Sequence, residues 1–177
     1  MKKLTAVIIF ILLFVGITAC TTTNKTKSDS SKEHIHTSTE DVPDGLMEAA
    51  NPKYMDGSSV SIKANHMKGM KGAKGTVLSS YNTTVYMVSY TPTTGGEKVR
   101  NHKWVVQEEM KNAGKTELAS GTKVTLEADH MAGMKGATAK IESAEKATVY
   151  MVDYTPTTGG KKVTNHKWLT ENELKAE

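Results

Sequence analysis

Cysteine is almost absent from this chain. Cys20 is the only one, so no intramolecular disulfide can form and no thiolate cluster can hold a metal ion. Aromatic side chains are scarce as well, at 6% of residues, with two phenylalanines and two tryptophans. No lysine or arginine cluster is dense enough to make a nucleic-acid stripe, and few aromatics lie between the basic residues, which argues against a nucleic-acid partner. Apolar runs are confined to the start of the chain. There, residues Leu4 to Ile17 form a run shorter than the ~20 residues a membrane span requires. There is no Ser–His–Asp order, no pair of catalytic carboxylates and no phosphate-binding loop. The sequence therefore points to no enzyme.

What the N-terminus does contain is "MKKLTAVIIFILLFVGITAC". A basic beginning (Lys2, Lys3), a short apolar stretch and small residues before a cysteine have the form of a secretory signal peptide. Residues 17–20, Ile-Thr-Ala-Cys, resemble a bacterial lipobox. By that resemblance residues 1–19 are the signal peptide and Cys20 carries a lipid anchor, which places the mature chain on the outer face of the cell membrane. Loss of Lys2 and Lys3 lowers the formal charge from +4 to +2, so attachment is expected from the acyl chains rather than from charge. Residues 21–41 are rich in Ser, Thr, Lys and Asp and bury too little apolar surface to fold. A flexible lipidated tether is expected over residues 20–50. It carries His34 and His36, which read equally well as a weak metal-recruiting pair or as two solvated histidines.

The rest is a duplication. Sliding the chain by 64 residues aligns 57–110 with 121–174 without a gap, and 30 of the 54 positions are identical. Two tandem repeats are expected, over residues 51–113 and 114–177. Within each repeat, "SVSIKANH" (59–66) and "KVTLEADH" (123–130) alternate apolar and polar residues as half-buried strands do. "TVYMVSYT" (84–91) and "TVYMVDYT" (148–155) are β-branched and aromatic, as are the strands predicted over 97–106 and 161–170. The weaker "GTVLSS" (75–80) reads as a separate short strand, and "TPTTGG" as a turn. This spacing predicts a mainly β protein built as two small SH3-like or KOW-like barrels, each near the lower size limit for an independent core.

The unusual chemistry lies in "NHMKGMKGA" (65–73) and "DHMAGMKGA" (129–137). Each copy places a histidine and two methionines within five residues of a glycine-broken turn. Thioethers are soft, neutral donors that select Cu(I), and imidazole also suits copper, whereas Ca²⁺ or Mg²⁺ would require carboxylate oxygens. The bland alternative is that the methionines plug a core, since methionine fills irregular gaps. Both copies retain both methionines while their neighbours change, and leucine would serve a plug as well. The sequence therefore nominates His66, Met67 and Met70, with His130, Met131 and Met134, as Cu(I) ligands converging on one point in each turn. Met87 and Met151 lie on the wetter face of their strands and are additional candidates. His102 and His166, each two residues from a tryptophan on the same strand face, read either as structural histidines or as further ligands.

Taken together, a lipobox followed by two units of the form "HMxGMKGA…TVYMVxYTPTTGG…VxNHKW" resembles the YdhK family of Gram-positive lipoproteins, among them copper-binding lipoproteins of the CopL type. The resemblance covers residues 57–174. It implies a membrane-anchored extracytoplasmic protein that sequesters copper and supports copper tolerance. Ser89, where the family has aspartate, and the altered "GTVLSSYN" stretch imply that the first repeat's site differs in strength from the second. A chaperone handing copper to an exporter would use the same ligands. The rival expectation is a cell-wall or surface-polymer binding module working through the aromatic strands and "TPTTGG".

Overall fold

The computed structural model describes residues 42–177. The expected signal peptide, Cys20 and the His34/His36 pair lie outside the described residues. The fold is almost entirely β, as its alternating, β-branched segments require. In chain order the strands are β1 (Met47–Glu48), β2 (Ser59–Ile62), β3 (Lys74–Tyr90), β4 (Val99–Val106), β5 (Lys123–Thr125), β6 (Thr138–Thr155), β7 (Val163–Thr170) and β8 (Leu174–Ala176). Among the described residues the only helical pieces are two 3-10 turns, Gln107–Glu109 and Glu171–Glu173.

The expected pair of closed barrels is not what forms. All eight strands join one open antiparallel sheet in the order β5-β6-β3-β2-β8, with β1 and β4 also pairing to β3 and β7 to β6. The reason lies between the two strands predicted in each repeat. "SYNTT" (80–84) and "AEKAT" (144–148) contain no glycine or proline, so neither carries the Asn-Gly, Asp-Gly or Pro-containing pair that favours a tight hairpin turn. The chain therefore runs straight on, and β3 and β6 become single strands of 17 and 18 residues. A strand that does not turn cannot pair with itself, so each pairs along its length with its counterpart from the other repeat.

The register makes this crossing explicit. Lys74 pairs with Thr155 at one end and Tyr90 with Ala139 at the other. Midway, Thr83 pairs with Ala147, the residue that occupies the same place 64 positions later. Equivalent residues thus face each other across a pseudo-two-fold axis. The hydrophobic cores follow the crossing. One core joins Val60, Ile62, Met70 and Val77 from the first repeat to Tyr150, Val152, Tyr154 and Leu169 from the second. Its mate joins Tyr86, Val88, Tyr90 and Val105 to Leu126, Met134, Ala139 and Ile141. A third, central cluster brings Trp104 and Trp168 together with Val85, Val106, Val149 and Met151. Each core therefore draws side chains from both repeats.

The last described part of the expected tether is also built in. β1 pairs with Tyr81 and Asn82 of β3, and Val42 and Leu46 pack against the central cluster.

Candidate metal centre

The turns bearing the histidines are locked by the opposite repeat. In the first turn Gly69 has φ +80°, and a Cβ there would lie 2.5 Å from Thr158 Oγ1 and 3.0 Å from Pro156 Cβ, so only glycine fits. The Thr157 backbone N–H donates to the Gly69 carbonyl at 2.9 Å, and its hydroxyl donates to the same oxygen at 3.2 Å. Gly133 meets Pro92, Thr93 and Thr94 in the same way. "TPTTGG" is thus a clamp on the partner turn.

From these turns the histidines and methionines go different ways. Met70 and Met134 point inward and are fully buried, one in each outer core. The expected convergence of His66 with both Met67 and Met70, and of His130 with both Met131 and Met134, is therefore only half realised. The inner methionine of each turn serves as core filling, because it is the residue that follows the clamped glycine into the apolar interior. Met87 and Met151 pack in or against the central cluster with the tryptophans, and neither lines the cavity that the histidines share. Met67 and Met131 remain half-exposed.

The histidines do gather. One open cavity of about 880 Å³ is lined by His66, His102, His130 and His166, together with Met67 and Met131. The pair outside the methionine turns, His102 and His166, projects from β4 and β7, whose positive-φ residues Asn101 and Asn165 immediately precede them. In all four imidazoles one buried nitrogen has no hydrogen-bond partner in the protein: Nδ1 of His66 and His130, and Nε2 of His102 and His166. Buried polar atoms are almost always paired, so four unpartnered nitrogens around one cavity are four ring positions left open to a ligand. Among the described residues, no three His, Cys, Asp or Glu side chains are already drawn tightly enough around a point to hold an ion. The cavity is far wider than a bare ion, and closing the set requires movement of the rings.

Two carboxylates that the sequence reading passed over control the tautomers. Glu173 Oε1 lies 2.7 Å from His66 Nε2, and Glu109 Oε1 lies 2.7 Å from His130 Nε2. An ionised carboxylate only accepts hydrogen bonds, so Nε2 carries the hydrogen and Nδ1 is left as the free donor atom. Each carboxylate also accepts from an indole: Trp104 Nε1 donates to Glu173 at 2.9 Å, and Trp168 Nε1 donates to Glu109 at 3.1 Å. The 3-10 turns hold the acids in place, since the Val106 and Thr170 backbone N–H groups donate to Glu109 and Glu173 respectively. Burial pushes the Glu173 carboxyl up, but the hydrogen bonds from His66, Thr170 and Trp104 outweigh it and hold it at about 2. A carboxylate behind an imidazole is the usual support of a metal-binding histidine. The signal that could have found these acids was present. Glu109 and Glu173 stand at the same place in the 64-residue alignment, inside a stretch whose neighbours differ.

His102 and His166 are kept neutral. Burial first, then the neighbouring His130 and His66, push His102 down to about 4. His166 falls to about 4 by burial and by the same two residues with His102. Neutral imidazole is the form that binds metal.

Fold and site together define a class: an all-β tandem-repeat protein whose two copies interlock around a histidine-lined cavity. A family described as "Protein of unknown function (DUF1541)" matches residues 56–107 and 120–171, one match per repeat. The chain belongs to the DUF1541 family. It is 56% identical over 184 residues to the uncharacterized protein YdhK of Bacillus subtilis (strain 168), covering 99% of this chain and 89% of that one. A crystal structure of the B. subtilis protein superimposes with a TM-score of 0.77 at 63% identity, over 82% of this chain and 99% of that chain. A solution structure of the YdhK C-terminal domain gives 0.66 at 64% identity, over 70% and 93%.

Proposed function

We propose that this chain is a CopL-like, lipid-anchored extracytoplasmic protein that sequesters copper(I) in its histidine-lined cavity and so supports copper tolerance. The observation that carries the reading is the set of four buried ring nitrogens without protein partners, two of them with tautomers set by a carboxylate behind the ring. Besides amides, the Thr164 hydroxyl and the carboxylates of Asp129 and Glu173, the cavity is lined by a mixture of imidazole and thioether donors. That mixture suits copper better than a hard cation. The anchor belongs to Cys20, by its lipobox, and copper held there would be withheld from targets in and beneath the membrane. The reading is of a holding site, with no bond made or broken.

The rival surface-binding reading draws less support. Tyr86, Tyr90, Tyr150 and Tyr154 are buried, so the aromatic strands offer no free ring face to a polymer; "TPTTGG" stays largely exposed, with one threonine of each copy bonded to the opposite turn.

The test is competition for Cu(I) between the full chain, purified in detergent, and a chromogenic chelator. The parent is expected to withdraw copper, and the variant with His66, His102, His130 and His166 all changed to Ala is expected to bind at least ten-fold more weakly. Equal retention by the two proteins, or none by the parent, contradicts the proposal.

A further inference from the structure

Resting on that copper reading, we infer that each copper centre is a crossed pair, one histidine from each repeat: His66 with His166, and His102 with His130. The sequence repeat is then not the metal-binding unit, although each repeat carries a complete-looking set of ligands.

The argument begins with which rings are neighbours. His102 and His130 have ring centroids 6.1 Å apart. Two imidazoles on one ion, each about 2.0–2.1 Å from it, place their ring centres about 5 to 6.5 Å apart, so this pair already has the span of a shared ion. His102 and His130 come from different repeats. The tyrosine beneath them confirms the grouping: the Tyr90 ring stands edge-on to His102 at 6.1 Å, while its hydroxyl reaches Met131 Sδ at 3.9 Å. One histidine of the first repeat, and one histidine and one methionine of the second, are thereby assembled over a single tyrosine.

The other half shows the corresponding tyrosine contacts. The Tyr154 ring stands edge-on to His166 at 5.6 Å, and its hydroxyl lies 4.0 Å from Met67 Sδ. His66, next to Met67, is tied to Glu173 of the second repeat. Each centre then offers two imidazoles and one thioether, a trigonal soft-donor set suited to Cu(I). The free atoms are His66 Nδ1 with His166 Nε2, and His130 Nδ1 with His102 Nε2. The crossing of β3 and β6 is what makes this pairing unavoidable, because it carries the second half of each repeat over to the turn of the other.

The test uses two double variants of the full chain that each remove two imidazoles. His66→Ala/His102→Ala strips one repeat; His102→Ala/His130→Ala strips one crossed pair. Copper bound per chain is measured after chelator competition, with near-UV circular dichroism as the check on folding. The inference expects the first variant to lose essentially all copper and the second to retain half. The reverse pattern identifies the repeats as independent sites and overturns it. Complete loss from both identifies one four-histidine centre and overturns it equally, while a parent that binds no copper removes the copper reading itself. X-ray absorption on the parent needs no variant: the expected shell is two imidazoles and one sulfur per copper, and a four-nitrogen shell contradicts the crossed pairs.

Discussion

His102 and His166 sit at the floor of the cavity as neutral rings, and their neutrality has a thermodynamic consequence. Both are held near 4 in the folded chain, against about 6.5 when unfolded. Above pH 6.5 neither state carries the proton, so the two histidines leave stability unaffected. As pH falls from about 6.5 to about 4 the unfolded chain takes up protons that the folded chain refuses, and stability drops, by at most on the order of 3 kcal/mol per histidine. Glu173 acts lower on the scale. Its depressed carboxyl contributes stability above about 4.5 that is lost as pH falls toward about 2. Urea melts of the metal-free chain at pH 7.5, 5.5 and 4.5 are expected to show falling midpoints, with the His102→Leu/His166→Leu variant losing most of the slope down to pH 4.5. An unchanged slope in that variant contradicts the assignment.

The methionines mark where reading at the residue scale reaches its limit. Met67 and Met70 are three residues apart, and donor chemistry gave them one role, yet one lines the cavity and the other is fully buried. Which way each side chain points is decided by the backbone of the clamped glycine between them and by a loop roughly 90 residues away in sequence, and no local pattern encodes either. His102 and His166 posed the opposite difficulty. Beside a tryptophan they read first as structural histidines and second as ligands, and the indoles are hydrogen-bonded to the very carboxylates that orient the other two histidines.

At the scale of elements, strand identity was legible and strand extent was not. β2, β4 and β7 fall where apolar alternation places them, because period-two patterning is a local property. The join between "GTVLSS" and "TVYMVSYT" was not legible as one strand, because its evidence is the absence of a turn signal. That join decides the architecture. β3 and β6 run through both outer cores and the central tryptophan cluster, so neither half can open without tearing strands out of its mate. Thermal or urea unfolding is accordingly expected to be a single transition, with coincident curves from tryptophan fluorescence and far-UV circular dichroism. Two resolved transitions would mean that the halves are separable.

For the whole molecule, duplication followed by crossing explains why the site lies between the repeats rather than within either. The pseudo-two-fold passes through the Thr83–Ala147 pair, and a cavity lined by equivalent residues of both copies comes as a matched set. The repeat itself could be read directly from the 64-residue shift. The crossing could not, since an uncrossed pair of barrels has the same sequence periodicity. The central claim is that specified nitrogens of four histidines take up copper. It is tested most directly by long-range ¹H–¹⁵N spectra of the imidazole rings of the full chain, recorded before and after addition of Cu(I), which is diamagnetic. The account predicts large shifts of Nδ1 in His66 and His130 and of Nε2 in His102 and His166, with the opposite nitrogens of His66 and His130 remaining protonated. Imidazole signals unmoved by a copper ion that the chain has demonstrably bound would contradict it.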